Sequence, residues 1–472
     1  MENSNNSKVL LVYPHSAMEV FKKTKVAIAV PQMPNLSLAV LASSLLDFGH
    51  DVRILDLGIS KNPIKDLASE LKSFSPDYVG VTFSTPIFYQ MVEIIERVKS
   101  YDSSIVTIGG GPHTSALPEQ TLRDSKLDIA VVGEGEYSLL DVVSGKPLKS
   151  IDGVCFKKGK KTFLNPRREL IKDLSSLPFP AWDLFDIKKY KTSGLTSRKN
   201  PVGPIETSRG CPFGCTYCSK SVFGRTFRTK SVERIVDEIE YMLDCGFKEI
   251  HVMDDGFSND MKRAKDVCDE IIRRGLEFPW NLINGIRVDR VDRELLIKMK
   301  KAGCYRASFG VESGDQNILN KINKGVTLGK VREAFKLAKE TGIETLAFFM
   351  IALPGDTEET VKKSIAFAKE LEADIVKVSI TMPFPGTPLF CEWDSAGLIK
   401  TKNWSKYYYH MPDAVYDHPS MDWKTIYRYY NLFYREVYFD PKFLIRKFLK
   451  DTKNGRILLD VFYFLKTLKY GW

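Results

Sequence analysis

Short apolar runs alternate with amphipathic helical segments along this chain, and this alternation restricts the folds that it can adopt. Strands that are separated by helices pair in parallel, because each helix carries the chain back across the sheet before the next strand begins. The chain has 472 residues, which is enough for several domains. Its composition, 43% hydrophobic and 27% charged, excludes the disordered and collagen-like classes. We therefore expect an α/β protein of more than one domain.

The first series of strands and helices predicts a doubly wound, Rossmann-like domain over residues 1–145. Polar or glycine-rich turns follow its expected strands, and in parallel sheets such turns share the carboxyl edge where ligands bind. A single glycine turn would be interpreted as an ordinary tight turn. Because four such turns share one edge of the sheet, a ligand-binding site at that edge is an equally good interpretation. The candidate residues in these turns are Ser84, Thr85, Gly109, Gly110, Gly111, Pro112, Gly133, Glu134 and Gly135.

A second series begins near residue 199 and contains six expected strands, each followed by a helix or an extended segment. Because six repeats are fewer than the usual eight, residues 199–400 are predicted to form a partial (βα)6 barrel. Residues 146–198 are rich in Lys, Ser and Pro, and we interpret them as a linker that contains a hairpin at Gly153–Phe163. Residues 401–472 follow as a mostly helical region.

Neither a signal peptide nor a membrane span is evident in the sequence. Residues 1–7 are polar, the apolar run Val9–Tyr13 is short, and no later stretch reaches about 18 uninterrupted apolar residues. These features predict a cytoplasmic protein, whose eight cysteines are better suited to metal ligation than to disulfides. Five cysteines are isolated among apolar residues and are predicted to be small core side chains: Cys155, Cys245, Cys268, Cys304 and Cys391.

The other three cysteines, Cys211, Cys215 and Cys218, are spaced by four and three residues directly after the first expected barrel strand. Soft thiolates bind iron–sulfur centres, zinc or copper(I). A cluster of four irons held by three protein ligands leaves one iron open for a small molecule. Structural zinc is the less favoured alternative, because it usually takes a fourth Cys or His at short spacing and the sequence offers none.

This triplet forms the CxxxCxxC signature of the radical S-adenosylmethionine (SAM) superfamily, which the chain resembles, with Tyr217 as the usual aromatic residue before the last cysteine. The resemblance implies that the three thiolates hold a [4Fe-4S] cluster whose open iron chelates the amino and carboxylate groups of SAM. Reductive cleavage of SAM then gives methionine and a 5′-deoxyadenosyl radical that abstracts hydrogen from a substrate. The protein orients these cofactors and excludes water and oxygen.

Further motifs extend the resemblance along the barrel. Ser308–Gly314 is similar to the fourth-strand motif in which a glutamate, here Glu312 beside Ser308, contacts SAM; a structural ion pair is the alternative. Asp254 and Asp255 lie where other members bind the SAM amino group, or they cap the next helix. The segment from Phe349 to Thr357 resembles the strand-end motif beside the adenine, which implies contacts from Met350, Pro354 and Gly355.

Taken with the barrel, the front domain resembles the cobalamin-binding class of radical SAM enzymes. Four stretches fit that class in order: Pro34–Ala39, Gly49–Asp56, Ile108–His113 and Val132–Glu136. By analogy, cobalamin lies across the carboxyl edge of the front sheet with its cobalt face toward the barrel mouth. The chain departs from the base-off pattern Asp-x-His-x-x-Gly, since His15 has the right position but the Asp and the Gly are absent. A cobalt–His15 bond is therefore not expected, because a metal-bound His needs an orienting partner.

Members of this class methylate unactivated carbon or phosphorus, with one SAM supplying the radical and another the methyl group. The resemblance therefore favours a methyltransferase with a hydrophobic, lipid-like or secondary-metabolite substrate and an external flavodoxin- or ferredoxin-type electron donor. The first alternative is oxidation or ring formation without methyl transfer, as in the anaerobic magnesium-protoporphyrin monomethyl ester cyclase. The second is a non-catalytic sensor of cobalamin or of the cluster, which would need neither an open iron nor a SAM pocket.

The C-terminal region is aromatic and basic. Its 72 residues hold 20 of the 54 aromatic residues of the chain, and residues 441–472 carry six of the ten net positive charges. Within Arg456–Lys469 the apolar side chains fall on one helical face. One interpretation is a helix packed on the barrel; the other is a region that closes the barrel mouth and contacts a membrane surface or a hydrophobic substrate. No nucleic-acid-binding signature accompanies the basic residues, so nucleic acid is not expected as a partner.

Overall fold

Two β-sheets form the framework of the protein in a computed structural model that describes residues 6–14, 30–408, 412–453 and 455. In the first sheet the strand order is β2-β1-β3-β4-β5-β6-β7. The strands are β1 (Lys8–Tyr13), β2 (Asp51–Asp56), β3 (Tyr78–Thr82), β4 (Val106–Gly110), β5 (Ile129–Val131), β6 (Val154–Lys158) and β7 (Lys161–Leu164). The helices of this domain are α1 (Leu36–Asp47), α2 (Pro63–Phe74), α3 (Phe88–Tyr101), α4 (Pro112–Ala116), α5 (Pro118–Arg123) and α6 (Glu136–Val143).

The strand order confirms the doubly wound, Rossmann-like expectation for the front domain. Strands β1 to β5 are parallel, and the direction of winding reverses between β1 and β3. The expected hairpin is also present, but it belongs to this sheet, because Ile129 of β5 pairs with Phe156 of β6 in antiparallel register. The sheet therefore continues to Leu164, past the expected domain end at residue 145, and the hairpin covers an edge of β5 that would otherwise remain unpaired.

The second sheet is parallel, in the order β15-β14-β13-β12-β11-β8, and confirms the expected six-stranded partial barrel. Its strands are β8 (Val202–Ile205), β11 (Glu249–Val252), β12 (Trp280–Ile286), β13 (Cys304–Glu312), β14 (Glu344–Ile351) and β15 (Ile375–Ile380). The short strands β9 (Ser208–Arg209) and β10 (Arg228–Thr229) form a separate antiparallel pair. The helices are α7 (Val232–Asp244), α8 (Met261–Arg273), α9 (Arg293–Lys301), α10 (Gln316–Lys321), α11 (Leu328–Thr341), α12 (Glu358–Glu370) and α13 (Pro388–Ser395).

Alternating burial along β14 shows how the barrel sheet divides its two faces. Thr345, Ala347, Phe349 and Ile351 are buried, whereas the residues between them are only half-buried. Side chains of a strand alternate between the two faces of the sheet, so one face packs against the helices and the other is partly open. The packed face is anchored by contacts such as that between the rings of Phe349 and Phe433, whose centroids are 5.2 Å apart.

The C-terminal region adds α14 (Trp423–Tyr438) and α15 (Pro441–Lys453). The hydroxyl of Tyr434 accepts a hydrogen bond from the Val378 amide and donates to its carbonyl, and Tyr438 does the same with Val376. Two tyrosines one helical turn apart thus satisfy the free edge of β15 in place of a seventh strand. This agrees with the interpretation of a helix packed on the barrel for α14, while Arg456–Lys469 lies outside the described residues.

Aromatic residues ahead of α14 join this region to the front domain. Trp404 is 1% exposed, and its ring lies 5.2 Å from that of His113, which follows β4. Tyr407 and Tyr416 are fully buried in the same cluster. Among the described residues, no helix is long and apolar enough to cross a membrane.

The isolated cysteines divide into two groups. Cys155, Cys268 and Cys304 are buried, as expected for small core side chains. The same expectation is wrong for Cys391, which is exposed, whereas Cys245 is half-buried and packs against the core. Cys391 lies on the outer face of α13, whose inward residues are Leu389, Phe390 and Trp393. Cys245 is the C-cap of α7, and its backbone amide donates to the Tyr241 carbonyl.

Candidate active site

The cysteine loop leaves the barrel at β9 and returns at β10, and these two short strands close its base. Gly210 opens the loop with φ of +79°, and a Cβ at this position would lie 2.3 Å from the Thr226 carbonyl oxygen. Only glycine fits such a left-handed, crowded turn. The three thiols beyond it, those of Cys211, Cys215 and Cys218, are free and half-buried. They are therefore available as ligands.

The far side of the loop is held by the segment that follows α10. The Thr216 amide donates to the Ile322 carbonyl at 3.0 Å, and the Asn323 side-chain amide donates to the Gly214 carbonyl at 3.1 Å. The guanidinium of Arg287 lies 3.5 Å from the centroid of the Phe213 ring. These contacts fix the loop across the mouth of the barrel.

The donor set fits an iron–sulfur cluster. Burial raises the pKa of the Cys218 thiol, and the Lys220 ammonium opposes this by favouring the thiolate. Within the described ranges, no three His, Cys, Asp or Glu side chains gather closely enough to hold one metal ion. A cubane cluster binds each thiolate to a different iron, so its ligands lie apart around the cluster. Three accessible thiols on one loop meet this requirement.

Glu312 ends β13 in a strained conformation. Its φ is +67°, and Asn323 and Ala352, which lie at the same end of the barrel, also have positive φ values of +54° and +58°. Such conformations cost free energy in residues other than glycine and are concentrated at functional sites. The Glu312 carboxylate accepts from the Lys324 ammonium at 2.7 Å, and the Tyr217 hydroxyl lies 3.5 Å from the same nitrogen.

The Glu312 carboxylate thus forms the predicted ion pair, and it is also the group that the sequence predicts to contact SAM. Glu312 and Lys324 are both buried, and a Cβ at Gly310 would lie 2.7 Å from Glu312 Oε1. Glycine at position 310 therefore leaves room for the pair. Burial and the neighbouring Glu312 carboxylate raise the pKa of Tyr217, so its hydroxyl remains a hydrogen-bond donor.

The two neighbouring aspartates differ in their surroundings. Asp254 is 3% exposed and accepts hydrogen bonds from the Thr207 amide and the Ser208 hydroxyl, each at 2.6 Å. Asp255 keeps an accessible carboxylate at the mouth. Partial burial and the adjacent Asp254 charge raise the pKa of Asp255, against the effect of the Lys220 ammonium. The helix-cap alternative is wrong for both, because the N-cap of α8 is Asp260.

The strand-end segment after β14 forms a tight turn. Asp356, which the sequence analysis did not select, is 2% exposed and accepts from the Leu353 amide at 2.9 Å and the Thr360 hydroxyl at 2.8 Å. Burial raises its pKa to about 6. Met350 is half-buried before this turn, Pro354 is buried within it, and Gly355 has φ of +86°. Ser308 is buried on the neighbouring strand β13.

The carboxyl edge of the front sheet is open at two glycine turns. A Cβ at Gly111 would lie 2.6 Å from the Phe83 carbonyl oxygen, whereas one at Gly110 would have no heavy atom within 4 Å. A Cβ at Gly133 would lie 3.7 Å from the Val222 carbonyl oxygen, on the returning arm of the cysteine loop. The edge thus has bare backbone that a flat ligand can approach and lies beside the barrel mouth. His15 lies outside the described residues.

His113 is a residue of this edge that the sequence analysis did not select. Its Nδ1 lies 3.0 Å from the hydroxyl of Thr85, and its ring contacts those of Phe88 and Trp404. Burial lowers its pKa to about 4, so the imidazole is neutral at pH 7. Its Nε2 is buried and has no hydrogen-bond partner among the described residues. Ser84 is exposed beside it, and Pro112 begins α4.

Glu134, expected at a cofactor edge, instead joins the two domains. Its carboxylate accepts from Arg209 at 2.7 Å and from Arg228 at 2.9 Å. Arg209 also pairs with Glu136 and Glu206, each at 2.6 Å. These five side chains are largely buried, and burial raises the pKa of Glu206 although Arg209 opposes it. The network ties the Gly133–Glu136 turn to the residue two positions before Cys211.

Two family profiles match the chain. The Radical SAM superfamily covers residues 205–368, and the B12 binding domain covers residues 23–143. An uncharacterized methyltransferase of Pyrococcus horikoshii is 36% identical over 408 residues, which is 85% of this chain and 86% of that protein. The hopanoid C-3 methylase of Methylococcus capsulatus is 30% identical over 80% of this chain and 71% of its own.

A relative with different chemistry and two solved structures complete the comparison. The anaerobic magnesium-protoporphyrin IX monomethyl ester cyclase of Rubrivivax gelatinosus is 28% identical over 90% of this chain and 77% of its own. TsrM of Kitasatospora setae, a radical SAM methyltransferase solved with cobalamin and a [4Fe-4S] cluster, has a TM-score of 0.69 and 22% identity over 84% of this chain and 76% of its own. OxsB, solved with aqua-cobalamin and SAM, has a TM-score of 0.75 and 19% identity over 98% and 72%. At such identities these structures show a shared fold.

Proposed function

We propose that this chain, which belongs to the radical SAM enzymes with a B12-binding domain, transfers a methyl group to an unactivated carbon of its substrate. Its cofactors as a member of this family are a [4Fe-4S] cluster, SAM and cobalamin. The observation that carries the proposal is the junction of the two domains. The open carboxyl edge of the front sheet lies beside the cysteine loop, and the buried Arg209 network fixes their relative position.

We assign cluster binding and SAM binding to different residues at the barrel mouth. Cys211, Cys215 and Cys218 ligate the cluster, which supplies the electron for SAM cleavage when it is reduced. Glu312, held by Lys324, accepts a hydrogen bond from the ribose or the ammonium group of SAM. Asp255 provides a second anionic contact for the ammonium group. The remaining residues exclude water and hold the reactants close together.

The front edge would hold cobalamin over this mouth. Gly110 and Gly133 let the ligand approach the backbone, while the neutral imidazole of His113 is buried at the same edge with its Nε2 unpaired among the described residues. The substrate is proposed to be hydrophobic, in keeping with relatives named as hopanoid methylases and with half-buried apolar side chains on the inner face of β14. An external flavodoxin- or ferredoxin-type protein would supply electrons.

The second candidate is oxidative or ring-forming chemistry without methyl transfer, which the similarity to the magnesium-protoporphyrin cyclase supports. Contact of the final segment with a membrane surface stays a prediction, because Arg456–Lys469 lies outside the described residues. The sensor alternative is disfavoured, because the similar proteins are enzymes and the cysteine loop is complete.

An isotope experiment separates methyl transfer from oxidation. The gene is expressed in an anaerobic host fed methyl-deuterated methionine, and lipid and small-molecule extracts are analysed by mass spectrometry. Methyl transfer predicts a new product that carries the deuterated methyl group and is absent with Cys215→Ala. A new product without the label, lost in the same control, would assign oxidative or ring-forming chemistry instead.

A further inference from the structure

The inner face of the partial barrel can be identified from the ring of Phe348. A Cβ at Gly285 on β12 would lie 3.4 Å from Phe348 Cε2, although β13 separates β12 from β14 in the sheet. The ring therefore reaches across the concave side of a curved sheet. The next residue, Phe349, points the other way and contacts Phe433 of α14.

Lys377 lies on this same concave side. It is the register partner of Phe348 across β14 and β15, and its ammonium nitrogen is 5.8 Å from the centroid of the Phe348 ring. Val376 and Val378 on either side of it are buried against the opposite face. Lys377 itself is exposed, so the barrel interior beside it is not filled by side chains.

The floor of the barrel is closed by side chains, unlike the interior beside Lys377. There, Arg306 Nε donates to Glu344 at 2.8 Å, and the Arg306 guanidinium also donates to the Leu195 carbonyl at 3.1 Å. Above that closed floor, the inner residues of β14 are apolar and half-buried: Leu346, Phe348 and Met350. The inner face of β14 therefore offers an apolar strip beside the Lys377 ammonium.

The ammonium of Lys377 has no ion pair within the part of the chain that the structure describes. By contrast, the buried lysines Lys324 and Lys230 pair with Glu312 and Glu238, each at 2.7 Å. Although the Lys377 side chain has accessible surface, the protein packed around its ammonium partly desolvates it and lowers its pKa. A bound anion would offset this loss.

We propose that Lys377 binds the anionic group of the substrate, a carboxylate or a phosphate, while the apolar part of the substrate lies along Leu346, Phe348 and Met350. The register row Lys377–Phe348–Gly310 spans two strand spacings, so Lys377 lies about 10 Å from Gly310, next to Glu312. This distance suits a substrate that extends from the cationic wall toward the site of SAM cleavage. The inference deepens the proposed function, because it names the chemical class of the substrate.

The test measures binding to the anaerobically reconstituted holoenzyme by calorimetry. The probes are octanoate, octyl phosphate and 1-octanol, which share the apolar chain and differ in charge. We expect the anions to bind at least about tenfold more tightly than 1-octanol, because a charge-assisted hydrogen bond is added. Lys377→Met should remove this difference, and Lys377→Arg should keep it. Lys362→Met, which changes an exposed lysine on α12, is the matched control and should also keep it.

A second measurement separates the substrate from SAM as the source of the anion. Formation of 5′-deoxyadenosine is followed without substrate, and the KM for SAM of Lys377→Met should stay within about twofold of the wild-type value. A tenfold rise in that KM would assign Lys377 to the SAM carboxylate and overturn the proposal. An anion preference that persists in Lys377→Met, or that is absent in the wild type, would also overturn it. Binding is measured without turnover, so it stands even if the isotope experiment rejects methyl transfer.

Discussion

The barrel mouth and the carboxyl edge of the front sheet differ in what their polar residues do. At the mouth, the three thiols and the Asp255 carboxylate stay accessible. At the front edge, Glu134 is buried in an ion network with Arg209, and His113 is buried among aromatic rings. Polar residues in similar positions after parallel strands can therefore serve reaction chemistry in one domain and the assembly of domains in the other.

The largest effect is expected at the mouth. Cys215→Ala removes one of three proposed cluster ligands, so bound iron and sulfide should fall severely and 5′-deoxyadenosine formation should be lost. Iron and sulfide analysis after anaerobic reconstitution measures the first effect, and chromatography measures the second. Cys391→Ala, which changes an exposed thiol on α13, should leave both unchanged. Full cluster content in Cys215→Ala would show that Cys215 is not a cluster ligand and would contradict the proposed site at the barrel mouth.

The next effect concerns the joint between the domains. Arg209→Met leaves the buried Glu136 and Glu206 without their guanidinium partner and Glu134 with Arg228 alone, so the free energy of unfolding should fall by about 3–5 kcal/mol. Chemical denaturation followed by circular dichroism measures this. Arg273→Met removes only an exposed pair with Glu270, so it should change stability by less than about 1 kcal/mol. Equal effects of the two substitutions would contradict the assembly role of the network.

The buried His113 at the front edge should make the free energy of unfolding depend on pH. The folded-state pKa of His113 is about 4, below its unfolded value, so the unfolded chain binds the proton first as the pH falls. Its contribution to stability is thus present above pH 6.5 and is lost as the pH falls toward 4, by about 3 kcal/mol in total. His113→Gln should lack this part of the acid destabilisation. Unfolding curves of the wild type and of His113→Gln at pH 7 and pH 4.5 measure this difference. Equal losses of unfolding free energy in the two proteins would show that the fold does not lower the pKa of His113.

The smallest effects are expected from Asp254 and Asp255, whose substitutions should act on stability and on SAM binding respectively. Asp254→Asn disturbs buried hydrogen bonds to Thr207 and Ser208 and should lower the free energy of unfolding by about 1–3 kcal/mol. Asp255→Asn should change stability by less than about 0.5 kcal/mol but raise the KM for SAM about tenfold. Denaturation and 5′-deoxyadenosine kinetics on both variants give the comparison. A larger KM effect from Asp254→Asn would reverse the assignment.

The sequence allowed prediction of features whose signals are local. The strand–helix alternation predicts both sheets, and the spacing of Cys211, Cys215 and Cys218 predicts one loop with three thiols. The ion pairs of Arg209 with Glu134 and Glu136 were not predictable, because these partners are 75 and 73 positions away and nothing local marks them. The pairing of β6 with β5 depends in the same way on which free edge the hairpin meets in space. The repeat of Tyr434 and Tyr438 at helical spacing was visible, but the strand edge that they cover was not.

Methyl transfer to cobalamin can be tested before any substrate is known. The reconstituted protein is loaded with cobalamin, reduced anaerobically and incubated with methyl-deuterated SAM, and the cobalamin is then extracted and analysed by mass spectrometry. If the protein is a methyltransferase, we expect a deuterated methyl group on the cobalamin and an equal amount of S-adenosylhomocysteine. Tightly bound cobalamin that acquires no label and yields no S-adenosylhomocysteine would contradict methyl transfer and favour oxidative chemistry.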